Sequence, residues 1–286
     1  MFRVDTQNGH KFVLRIYSNE ETTIQDNMVE MYWLNALKKD TNLFVSEPVR
    51  NRVGEYITTV EIEGVPGEKR CALFCWVPGR PLEEHLSPGN YYKLGQTMAA
   101  LHDHAETLST PSELRPKRWD KVFYYPDEPV IYNTPAYRHL FPPERQALMD
   151  RFVERAHVFL KRLFKSEKEP IWIHGDLHYW NVHYFKGDLY TIDFEDVMQG
   201  YPLQDVAITL WYGRQREDYA DLRAAFVEGY SSMRDWPVSA PGQLEILMAA
   251  RSANFINYVA RIDPDPEEYI ATRCQELEQY LDNFPE

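Results

Sequence analysis

Two short segments, HGDLHYWN at 174–181 and IDFED at 192–196, place Asp176, Asn181 and Asp193 close together in the chain. Moving a phosphoryl group requires a carboxylate beside the acceptor hydroxyl and oxygen ligands that hold Mg2+ against the nucleotide phosphates, because the work is positioning and charge neutralisation. These three side chains make up such a set. His174, His178 and His183 open a second reading, since imidazoles beside a carboxylate can bind Zn2+ in a hydrolase. However, no recognised zinc-hydrolase spacing is present, and on a loop followed by a strand His174 and His178 do not share a helical face. Taken singly, each Asp or Asn also reads as an ordinary turn former or helix cap.

The surrounding elements decide whether the residues can meet. VHYF and LYTIDF, joined through Lys186, Gly187 and Asp188, read as a hairpin, so one motif precedes it and the other closes its second strand. Upstream, KFVLRIY at 11–17, EYITTVEIEG at 55–64 and KRCALFCWV at 69–77 carry the β-branched and aromatic residues of strands. Between the first two, Ile24, Met28, Met31, Leu34 and Leu37 recur at helical spacing, with Thr22 or Thr23 as cap. PGRPL at 78–82 is a Pro/Gly break, after which the patterns become mainly helical. The expectation is an α+β chain of two lobes: residues 1–77 form a small β-rich lobe, and residues 78–286 form a larger, mainly helical one. Residues 108–143 predict an irregular connection or a lid.

The spacing from Asp176 to Asn181, followed by Asp193-Phe194-Glu195, is similar to the H-R-D-x-x-x-x-N and D-F-G motifs of protein kinases. With Gly175 as second residue and Glu195 as third, the pair more closely resembles the aminoglycoside phosphotransferase and choline kinase superfamily, enzymes with a protein-kinase-like fold. This resemblance runs from about residue 11 to near 230. It implies an ATP- or GTP- and Mg2+-dependent phosphotransferase acting on a hydroxyl of a small molecule such as an aminoglycoside, a choline-like or homoserine-like compound or a sugar. Some branches act on protein Ser/Thr. It also implies Asp176 as catalytic base, Asn181 and Asp193 as metal ligands, and His174 as a brace for the loop. Arg15 in FVLRI stands where protein kinases have the phosphate-binding Lys, and Arg can grip phosphate bidentately. Glu30, at the edge of the apolar face of its helix, needs a partner, and Arg15 is the candidate. By the same resemblance, backbone groups of about Cys75 to Val77 would meet the adenine, and Asp205 would anchor the catalytic loop. His102 matches a family position but reads as structural. His178 could touch the acceptor, although packing beside Trp180 is the plainer role.

Composition sets limits on partners. A net charge of −13, with basic residues scattered, argues against a nucleic-acid surface. No apolar run is long enough for a membrane span, and the start has no signal-peptide pattern, so the cytoplasm is the expected location. Cys71, Cys75 and Cys274 form no disulfide framework or zinc set. Trp119, Tyr124, Tyr125, Trp211 and Tyr212 are compatible with an ammonium-bearing substrate or with core packing.

Only fourteen residues precede Arg15, and Gly9 is their single glycine. The first strand and phosphate-covering Gly-rich loop of a kinase-like small lobe are therefore expected to be missing. An internal start, a naturally short lobe or a pseudokinase that binds nucleotide without turnover would each account for this. The first two predict weakened ATP binding and ATPase side activity.

Overall fold

A computed structural model describes all residues except Glu20, Pro126, Asp127, Glu167 and Glu286. The chain opens with an antiparallel hairpin, β1 (Phe2–Asp5) and β2 (Lys11–Ile16), whose turn contains Gly9 at φ 84°. Helix α1 (Ile24–Asp40) follows, capped by Thr23 in a box with Asp26: each side chain accepts from the other's backbone N–H. Then come β3 (Phe44–Val45), β4 (Pro48–Val49), β5 (Ile57–Val60) and β6 (Lys69–Cys75). β6 is the centre of the first sheet, bonded antiparallel to β2, β4 and β5. β5 is shorter than the sequence pattern predicts, because the chain turns at Ile62, where the Val65 N–H bonds back to the Ile62 carbonyl.

The rest is mainly helical. After β7 (Arg80–Pro81) run α2 (Pro88–Thr107), β8 (Lys117–Arg118), α3 (Pro143–Leu163) and β9 (Ile171–Ile173). The hairpin β10 (Val182–Phe185) and β11 (Asp188–Thr191) turns through Lys186 and Gly187, both at positive φ, the two-residue turn that matches strand twist. A short 3-10 turn at Phe194–Asp196, β12 (Met198–Gly200), α4 (Pro202–Gly213), α5 (Tyr219–Ser231), α6 (Gln243–Ile262) and α7 (Glu267–Asn283) complete the chain. β3 joins β11 and β7 joins β10, so short pieces from either side of the 77/78 break extend the same hairpin. α2 and α5 touch backbone to backbone, because a Cβ on Gly95 would strike Phe226 and one on Gly229 would strike Tyr92.

The segment 108–143 is more than a connection. β8 pairs with β12 beside β9, and Trp119 and Tyr124 pack with Ile173, Met198 and Ile208 in a small satellite core. It is thereby tied to β9 and β12, the strands that flank the two motif segments. Among the described residues, no helix is long and apolar enough to cross a membrane.

Candidate active site

The 174–181 loop is built on Asp205. This carboxylate, fully buried in the first turn of α4, accepts from the backbone N–H of His174 (2.9 Å) and of Gly175 (3.0 Å). His102 Nε2 donates to it at 3.1 Å, while His102 Nδ1 lies 2.9 Å from the Tyr230 hydroxyl. Burial would raise the Asp205 carboxyl, but the hydrogen bond and charge of His102 and the loop N–H groups outweigh it and hold it below its ordinary value. Gly175 takes φ 79° and packs against the Asp196 carbonyl where a Cβ would collide, which explains glycine at this point of the motif. His174 accepts from the Asp176 N–H at Nδ1 (3.3 Å) and donates from Nε2 to the Ile192 carbonyl (3.2 Å), bridging the two motifs.

The Asp176 carboxylate, about a fifth exposed (19%), accepts from four donors. Arg251 Nη2 (2.5 Å) and the Tyr212 hydroxyl (3.1 Å) reach Oδ1. His178 Nε2 (3.2 Å) and Asn181 Nδ2 (3.0 Å) reach Oδ2. His178 Nδ1 accepts from the Trp180 N–H, so Nε2 is the nitrogen that donates to Asp176. Burial pushes the Asp176 carboxyl up, but the His178 ring and the Arg251 guanidinium outweigh it and hold it below its ordinary value.

On the other side lies Arg15, only 7% exposed and therefore no solvated strand residue. Its guanidinium meets Glu30 at 3.3 Å, Asp193 at 2.5 Å and Glu195 at 3.4 Å. The Tyr17 hydroxyl donates to the second Glu30 oxygen at 2.7 Å. Three carboxylates around one cation leave excess negative charge. Burial, opposed by Arg15 and Tyr17 and assisted by Asp193, accordingly pushes Glu30 up to about 7. Asp193 sits in the left-handed region at φ 66°, ψ 63°, a strain of about 1 kcal/mol for a residue with a Cβ. The strain turns its carboxylate back toward Arg15.

Asn181 Nδ2 also donates to the Asp176 carbonyl (2.9 Å), so its side-chain oxygen is the end left for a cation. An amide oxygen and the Asp193 carboxylate are hard donors suited to Mg2+, which takes one or two protein oxygens and completes its shell with phosphates and water. Among the described residues, no three His, Cys, Asp or Glu side chains are grouped to hold a metal. The three histidines do not converge: His174 and His178 have the partners above, and His183 meets the Pro78 backbone. At the proposed adenine edge, the Cys75 N–H bonds the Glu47 carbonyl (2.8 Å) and the Trp76 N–H bonds that of Lys11 (3.2 Å). Of the three N–H groups from Cys75 to Val77, that leaves Val77 for a base.

Asp176 opens on a cleft of about 360 Å³ between the start of α1 and α6. Arg251, Tyr212, Lys117, Glu195 and Asp196 share its wall. Lys117 Nζ lies 3.2 Å from Asp196, which also accepts from the Tyr125 hydroxyl (2.7 Å). Sequence reasoning missed Arg251 and Lys117. A lone Arg inside the apolar run ILMAARSANFI was a signal, because a cation on a buried helix face needs a partner. Lys117 offered none.

A kinase-like α+β fold that carries an Asp and Asn on one loop and a buried Arg/Glu pair on its small sheet and first helix has the parts of a phosphotransferase. Residues 1–241 match the phosphotransferase enzyme family, and the chain belongs to it. It is 25% identical over 231 residues to amicoumacin kinase of Bacillus subtilis (strain 168), covering 78% of this chain and 64% of that protein. The chain spans less than two thirds of the length of the curated relatives it matches, 63% and 64%. Among solved structures, the fold is similar to amicoumacin kinase hAmiN in complex with AMP-PNP, Ca2+ and Ami (TM-score 0.81, 17% identity, 99% of this chain and 85% of that one). It is also similar to the microcompartment-associated aminopropanol kinase (TM-score 0.77, 20% identity, 96% and 87% of the respective chains).

Proposed function

We propose that this chain is an ATP- and Mg2+-dependent kinase that transfers the γ-phosphoryl group to a hydroxyl of an amine-bearing small molecule. The observation that carries the reading is the Asp176 carboxylate, which lines the cleft with its Oδ1 partners Arg251 and Tyr212 and is met at Oδ2 by Asn181. In this reading residues 1–77 bind the nucleotide, with Arg15, braced by Glu30, gripping its phosphates and the Val77 N–H meeting the base. Asn181 and Asp193 hold the Mg2+. The metal, when bound, neutralises charge on the phosphate oxygens. Asp176 stays anionic and orients the acceptor hydroxyl, taking its proton late, as suits a loose transition state in which the nucleophile needs little activation.

The cleft supports an amine on the acceptor. Its carboxylates, Glu21, Asp26 and Glu128 besides those already named, outnumber the cations Lys117, Arg251 and Arg261. Tyr258 adds an aromatic face on which an ammonium group can rest. A volume of about 360 Å³ suits a small molecule. The similar proteins are named for amicoumacin and aminopropanol. A thermal-shift assay followed by a panel of amino alcohols, aminoglycosides and sugars tests the proposal. Mg2+–ATP should protect the wild type and Asp176→Asn but not Asp193→Ala, and Asp176→Asn should lose transfer by at least about 100-fold. Absence of protection in the wild type would sink the reading.

A further inference from the structure

Arg251 reaches the base from α6, far along the chain from the motif and 3% exposed. Nη2 lies 2.5 Å from Asp176 Oδ1, Nη1 donates to the buried Tyr124 hydroxyl, and the guanidinium carbon stands 4.6 Å over the Phe255 ring. Packing and hydrogen bonds therefore hold it in one orientation. Its Nε is buried without a partner, and Asp176 is the one carboxylate it meets, among the described residues.

The second donor on the same oxygen is different in kind. The Tyr212 hydroxyl is neutral, bonds Oδ1 at 3.1 Å and lines the cleft, whereas His178 and Asn181 approach Oδ2 from the loop. A carboxylate oxygen has two lone-pair sites, and both on Oδ1 are filled. An acceptor hydroxyl entering from the cleft must displace one donor, and the neutral bond is the weaker of the two.

Resting on the phosphotransferase reading above, we infer that Arg251 is a positioning residue that fixes the Asp176 carboxylate for the acceptor, and that the Tyr212 hydroxyl occupies the place the acceptor hydroxyl takes. Arg251 stays on Oδ1 through the reaction. Tyr212 gives way.

Steady-state kinetics with the best acceptor from the panel test this, with Mg2+–ATP protection of each variant confirming its fold. Arg251→Gln is expected to lower kcat by about 100-fold, the scale of losing one preorganised donor, with the KM for ATP nearly unchanged. Arg251→Lys should recover part of the loss, and it also serves if the glutamine variant fails to fold. Tyr212→Phe is expected to lower the acceptor KM several-fold, since the hydroxyl no longer competes. A kcat for Arg251→Gln within threefold of wild type overturns the role of Arg251, and a raised acceptor KM for Tyr212→Phe overturns the displacement. A wild type that is protected by Mg2+–ATP and phosphorylates an acceptor sustains the underlying reading whatever the variants do; an inactive wild type overturns both.

Discussion

Each titratable side chain at this site carries a role set by what surrounds it. Asp176 and Glu30 are both carboxylates next to an arginine, one largely and one fully buried, yet burial wins at Glu30 while the neighbouring His178 and Arg251 win at Asp176. The difference is that Glu30 shares Arg15 with Asp193 and Glu195, with Lys117 further off and Tyr17 its one neutral donor, whereas Asp176 has four donors of its own. A carboxyl raised from its ordinary 4.5 to about 7 holds, in the folded state, a proton that the unfolded chain has already released. Between those values the folded state binds more protons, so its contribution to stability falls as pH rises. Glu30→Gln keeps hydrogen-bonding groups toward Arg15 and Tyr17 while removing the charge. It is expected to flatten the decline in melting temperature between about pH 5 and 7, a window set by this shift. A decline as steep as the wild type's would refute the assignment. Glu30→Ala, by contrast, strands the Tyr17 hydroxyl and one face of Arg15 and should cost on the order of 1–3 kcal/mol in chemical denaturation.

At the scale of elements, the 174–181 loop is held by α4 as well as by its own internal hydrogen bonds. Asp205 satisfies two loop N–H groups and one imidazole, so Asp205→Ala leaves buried donors unpaired at about 1–3 kcal/mol each. The expected result is a lower unfolding midpoint and a kcat reduced at least tenfold, although Asp205 does not touch the cleft. Wild-type kcat in a folded Asp205→Ala variant would show that the loop supports itself. The pairing of the two motifs through one hairpin was legible in the sequence, because the Lys186–Gly187 turn and the flanking strands are local. The main strands of the small sheet were legible from their residue types, but β4 was not, and β5 stops short at a turn whose residues also suit a strand.

Taken as a whole, the molecule closes its site by bringing Arg15 onto Asp193 across 178 residues of chain. Bound phosphates and Mg2+ would share these same two side chains, so nucleotide should protect the fold far better with Mg2+ than in its absence. At about 100 times the dissociation constant, saturation adds about 2.7 kcal/mol. Equal thermal protection by ATP with Mg2+ and with EDTA would contradict a metal role for Asp193. By itself the sequence singled out Asp176, Asn181 and Asp193 as candidates and paired Arg15 with Glu30, a pair the structure holds at 3.3 Å, because a reaction that needs charged groups at set distances places them at set spacings on a strand, a helix and a loop. Only the tertiary structure decided that Arg15 also meets Asp193 and Glu195, and that Arg251 and Tyr212 share one oxygen of Asp176. Those contacts join residues far apart along the chain, and no local spacing encodes them. They follow from where α6 and the first sheet pack, which the whole core determines.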